Sequence, residues 1–243
     1  MNTTSWRTKF VTAKCEIALA LNQGAAGGTY DEAAILISSV LTALAAVLWP
    51  GRGNDRARFI ELLVRIAPSV PSFTTISVPL LIQHLESSGH NSEANVLKDR
   101  LTLFEPSLVV TGPQVDRDED EILSISPNIS VKMVRRYSYA CQLYEELRSP
   151  YAHEYRPGDN AESRPMTIRP NQAVSYFNSL VPVINRVRRK RIHFHIEWLA
   201  AVALGIAKKI DSEEIYEPLA DPSSWWIQEP EKHTAALYLP TDR

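Results

Sequence analysis

Cysteine is scarce in this chain. Only Cys15 and Cys141 occur, far apart and outside any CxxC pairing, so neither a disulfide framework nor a zinc or redox site is expected, and a reducing cytoplasm is the natural compartment. Glycine is scarce too, nine in 243 residues, and none stands in a phosphate-cradling loop: GAAGG lacks the lysine and GRGN the spacing. Nucleotide-driven chemistry therefore has no support. An excess of one charge sign is also missing. The net charge of −2 gives no global pull toward nucleic acid, so any RNA contact has to come from a local basic patch. The opening MNTTSWRTKFVTAK holds no uninterrupted apolar run, which argues against a secretory signal. What remains is ordinary globular composition, 44% hydrophobic and 22% charged, read as one elaborated domain over residues 1–243.

Helical patterning dominates. A first helix is predicted over about Trp6 to Leu21, with Phe10, Ala13, Ile17, Ala20 and Leu21 as its apolar face, stopping in GAAGG. Thr29 with Glu32 forms a capping box that opens an uncharged run from Ala33 to Gly51. That run approaches bilayer-spanning length, but Ser38, Ser39 and Thr42 interrupt it and alanines dilute it, so it reads as the central buried helix of a bundle. Asn54 or Asp55 caps the next helix, whose Phe59, Leu62, Leu63 and Ile66 make a stripe ending before Pro68. Shorter helices, expected to be peripheral, start at Ser77 and at Asn91 or Ser92. Glu105 to Asn128, with three prolines and the acidic run DRDEDE, reads as an exposed connection with strand character at Leu108 to Val110. A strong helix follows from Ser130 to Arg148, then helices over Asn171 to Val187 and Arg191 to Lys209. MTIRP and AALYLP can pair as a short β ribbon. The expected class is mainly all-α, an up-and-down bundle with peripheral helices.

One segment carries chemistry: Arg148-Ser149-Pro150-Tyr151-Ala152-His153-Glu154-Tyr155. Histidine can take a proton from a ribose 2′-hydroxyl near neutral pH, and a guanidinium can hold the charge developing on phosphate, so the pair suits metal-free RNA cleavage. Five residues of continuous α-helix turn through about 500°, leaving the two side chains roughly 140° apart. A break at Pro150 is therefore expected, bringing both into one cleft. The spacing alone is common, since Arg188 to His193 repeats it. Tyr155 two residues past His153, and the place of the segment at the end of a strong helix, single out the first occurrence.

LRSPYAHEY is similar to the Arg-x(4–6)-His motif of the HEPN superfamily, and its Arg-x4-His-x-Tyr form resembles the HepT-type toxins of toxin–antitoxin pairs. The motif covers eight residues, and the helical similarity is diffuse over about 150. The resemblance implies a helical bundle that dimerises with its two motifs facing, and a metal-independent endoribonuclease leaving a 2′,3′-cyclic phosphate. It also implies roles: His153 as general base or acid, Arg148 as phosphate stabiliser, and Tyr155 as the residue a partner nucleotidyltransferase antitoxin would adenylylate. Ser149 departs from the Asn, Asp or His usual after the arginine. The competing reading is a non-catalytic helical scaffold or RNA-binding protein with the same fold.

Other clusters are weighed beside it. Arg186, Arg188, Arg189, Lys190 and Arg191 form the densest basic run, either an RNA-phosphate contact or a solvated helix–helix junction. His193 and Glu197 share helical spacing without an evident third ligand, so no metal and no cofactor is implied. Trp225 and Trp226 read as a C-terminal plug over the bundle. Membrane partners are not expected.

Overall fold

The computed structural model describes residues 5–51, 55–68, 70–101, 109–163, 172–178, 189–212 and Trp226. Ser5 accepts the Arg7 amide and starts α1 (Trp6–Asn22), which packs on two long helices introduced below. Its buried face is Thr8, Val11, Cys15 and Ala18, turned about 150° from the expected one. Phe10 and Ile17 are instead 47% and 46% exposed, and Trp6 73%. Polar anchors set this rotation. Arg7, and the amide and hydroxyl of Thr8, bond the Asp211 carboxylate, and Cys15 Sγ lies 3.5 Å from the Ala200 carbonyl. Small side chains on that face let the helices approach closely.

After a single 3₁₀ turn (Ala25–Gly27), α2 (Tyr30–Leu48) begins with both halves of the Thr29/Glu32 capping box in place. It is long and apolar enough to cross a membrane, yet half of that span is buried against neighbouring helices of this chain. α3 (Asp55–Glu61) widens into a π-helical stretch, Leu62–Ile66, and the whole Phe59, Leu62, Leu63, Ile66 stripe is buried as patterned. α4 (Val78–Ser87) and α5 (Asn91–Leu101) pack on each other. α4 is not peripheral: six of its ten residues are buried.

Residues 105–108 lie outside the described residues, but the rest of the expected acidic connection is structured. It supplies β1 (Val109–Thr111), α6 (Gly112–Val115) and α7 (Glu119–Ile125), with Val115, Asp116 and Ile122 buried. The helix expected over Ser130 to Arg148 is two helices. α8 (Val131–Arg136) stops at Tyr137, and Ser138 caps α9 (Tyr139–Leu143) by accepting the Cys141 amide. From there the chain stays helical through a π stretch, Tyr144–Arg148, into α10 (Ser149–Glu154).

The helix expected over Asn171 to Val187 is absent from its described part. Residues 174–178 form β2 (Val174–Asn178), and β3 (Lys190–Phe194) occupies the start of the following expected helix, so α11 runs Ile196–Asp211. The sheet is antiparallel in the order β1-β2-β3, with Val110 opposite Tyr176 and Tyr176 opposite Ile192. MTIRP and AALYLP, the runs expected to form a ribbon, lie outside the described residues.

A buried polar hub ties the sheet to the helices. Asp116 accepts from the Tyr139 hydroxyl, from Tyr176 at 2.7 Å, and from the Val78 amide at 3.1 Å, so it also caps α4. Burial pushes its carboxyl up to about 7 despite these donors. Gly112 is required beside it, since a Cβ there would run into Tyr139 Oη.

Candidate functional site: the motif helix and its groove

Pro150 does not break the helix. The preceding π turn carries the Ser149 amide to the Tyr144 carbonyl, five residues back, and this wider turn makes room for the proline ring in the first turn of α10. Ser149 keeps helical angles, φ −71° and ψ −50°, where a pre-proline residue usually avoids them. The expected kink is therefore corrected to a continuous helix ending at Tyr155, which adopts a left-handed φ of 58° as the C-cap.

Continuity decides the geometry. Arg148 points inward, 14% exposed, with Nε 3.4 Å from Thr42 Oγ1, a terminal nitrogen 3.7 Å from Asp55, and its guanidinium carbon 5.4 Å from the Tyr144 ring centre. His153 is on the exposed side and Tyr155 is 69% exposed. The arginine and histidine of one chain thus do not share a cleft, as a rigid helix dictates. Ser149 is half-buried beside them.

Arg148 belongs instead to a groove of about 290 Å³ between α2 and the motif helix. Ile35, Ser38, Ser39, Thr42, Ala43 and Ala46 form its α2 wall, facing Arg148, Tyr151 and Ala152. Tyr151 is locked there by a hydrogen bond to Asp31 in the first turn of α2, and burial raises its phenol above the ordinary range. Below the motif, Glu146 fixes the outgoing loop by accepting the Asn160 amide at 3.0 Å and its side-chain amide at 2.8 Å. Gly158 lies so close to Glu146 that a Cβ would not fit. Burial holds the Glu146 carboxyl above its usual value.

Sequence patterning missed Asp31, Ser38, Thr42, Asp55 and Tyr151. The hydroxyls interrupting the apolar run of α2 were the available signal. The basic run divides otherwise than expected. Arg186 and Arg188 lie outside the described residues, Arg189 is exposed, Lys190 is buried in β3 with its backbone bonded to Gln83, and Arg191 is half-buried. It is neither a helix junction nor, over its described half, one exposed patch.

His193 and His195 lie in and just after β3, not on a helix. His195 Nε2 is 2.9 Å from Ser175 Oγ, and His193 Nδ1 is 2.9 Å from the Glu162 carbonyl. Burial pulls both imidazoles down to about 4, so they stay neutral in the core. Among the described residues no three His, Cys, Asp or Glu stand close enough to hold a metal ion. Trp226 does cap the bundle, its amide on Glu61 and Arg135 4.1 Å over its ring, while Trp225 lies outside the described residues.

No family model, no curated protein and no solved structure matches this chain.

Proposed function

We propose that this chain is a metal-independent endoribonuclease of HEPN type, acting in the cytoplasm as a toxin or defence effector under a nucleotidyltransferase antitoxin. The supporting observation is the placement of the motif on one helix, with Arg148 set in a groove and His153 exposed beyond it. The π turn before the motif fits a working site, since such turns cost regular hydrogen bonding and recur where function needs them. Arg148 holds the phosphate, His153 takes the 2′-hydroxyl proton, the 2′-oxygen bonds to phosphorus, and the bond to the 5′-oxygen breaks as that oxygen takes a proton from water. The products are a 2′,3′-cyclic phosphate and a 5′-hydroxyl.

Because the two side chains diverge within one chain, the reading requires a two-fold dimer in which the histidine of one copy meets the arginine of the other. Mixing Arg148→Ala with His153→Ala tests this directly. Each variant alone is inactive toward total RNA without metal, while the mixture regains about a quarter of wild-type activity, one intact site in half of the dimers. An inactive mixture of folded, exchanging dimers refutes the composite site. The divergence also favours a second reading, an RNA-binding protein without cleavage, for which all these proteins retain RNA affinity and release no cyclic phosphate.

A further inference from the structure

The groove beside Arg148 has a chemistry that phosphate binding leaves unused. Its α2 wall is open because Ser39, Ala43 and Ala46 are short, where leucine at any of them would fill the space. Three hydroxyls stand on that wall. Two are satisfied within the helix, Ser39 on the Ile35 carbonyl and Thr42 on the Ser38 carbonyl, each at 2.8 Å. The third is not: Ser38 is 5% exposed, and its Oγ has no hydrogen-bond partner among the described residues. A buried hydroxyl without a partner is unfavourable, and in a binding groove it marks where a ligand atom completes the bond.

The remaining walls specify the ligand. Ile35, Ala43, Ala46 and the fixed Tyr151 ring give apolar flanks suited to a flat heterocycle, with one polar contact at its edge. Arg148 lies at the same groove, resting on the Tyr144 ring, and its polar contacts to Thr42 and Asp55 are long ones that a phosphate would replace. The volume of about 290 Å³ sits at the small end of ligand sites, which start near roughly 300 Å³. Its size suits one base with its sugar, and a base whose edge meets Ser38 has that edge taken from a pairing partner.

We propose that this groove is a nucleobase subsite. It takes the base of one unpaired nucleotide, whose phosphate lies on Arg148, and Ser38 Oγ hydrogen-bonds the base edge. The proposal rests on the RNA reading above and adds to it a reason for single-stranded substrates and for base preference.

Calorimetric titration of the full chain with the four nucleoside 3′-monophosphates, ribose phosphate and inorganic phosphate tests it. At least one nucleotide should bind about tenfold more tightly than ribose phosphate. Ser38→Ala should reduce that preference by about fivefold to tenfold, the worth of one hydrogen bond. Ala43→Leu, at an exposed position where folding is not at risk, should abolish it. Neither should change ribose phosphate binding, and Arg148→Gln should weaken every phosphate-bearing ligand. Nucleotides binding no better than ribose phosphate, or a preference untouched by both groove variants, overturns the subsite. A single-stranded oligoribonucleotide measured alongside separates the two readings. If it binds both groove variants as it binds wild type and Arg148→Gln more weakly, the subsite fails and the RNA reading stands. If mononucleotides bind through Ser38 and the oligonucleotide does not, the RNA reading fails and the subsite stands.

Discussion

Replacing Asp116 by asparagine should change how stability depends on pH more than it changes stability at any one pH. The carboxyl titrates near 7 in the folded chain and near 3.8 when exposed. Between those values the folded state keeps a proton that the unfolded state releases, so wild-type stability falls as pH rises from about 4 to about 7 and levels off above. Three pH units correspond to about 4 kcal/mol at about 1.36 kcal/mol each. Asp116→Asn has no such titration. Urea unfolding of both proteins at pH 5, 6, 7 and 8 isolates the effect, because other ionisable groups cancel in the difference. The wild type should lose about 2 to 3 kcal/mol relative to the variant from pH 5 to pH 7. A difference that stays flat, or that grows in favour of the wild type with rising pH, refutes a protonated carboxyl at the hub.

The exposed stripe of α1 gives a second test: Val11→Ala should cost about 1 to 2 kcal/mol by removing two buried methyl groups, whereas Phe10→Ser should cost under about 1, measured by denaturant midpoints. Tyr155→Gly should raise stability by up to about 1 kcal/mol in a thermal melt, since glycine holds the left-handed C-cap without strain. His153→Ala should leave the melting temperature unchanged while removing RNA cleavage, and loss of folding would assign the histidine a structural role. Light scattering at micromolar concentration should show a dimer, and a strict monomer would count against the composite site.

The fold was largely legible where local signals and burial agree. The Thr29/Glu32 capping box, the α3 stripe and the Ser77 start of α4 each formed as patterned. It was not legible where tertiary contacts choose among equal patterns. α1 carries two apolar faces, and the distant Asp211 carboxylate selects the one with smaller side chains. β2 and β3 were mistaken for helix because each is only five residues long and buries polar side chains, Ser175 in one and Lys190 and His193 in the other, which blurs the period-two signal of a strand. At the site, the motif residues were visible, but the groove was not: it depends on α2 residues more than a hundred positions upstream, and the continuity through Pro150 depends on a π turn that no residue type announces.

That π turn makes the aim of the motif a matter of counting. Tyr144–Arg148 holds one residue more than α-helical winding would use, so deleting a single residue there would let the segment tighten into ordinary α-helix. The Ser149 amide would then meet the Tyr144 carbonyl four residues back, as in any α-helix, so Tyr151 would keep its aim at Asp31, whereas a deletion in the α-helical residues on either side would swing it by about 100°. Point substitutions at the exposed Glu145 would leave that pointing intact. The π turn is therefore where this helix can lose a residue and keep its aim, and the constraint on length falls on the regular turns around it.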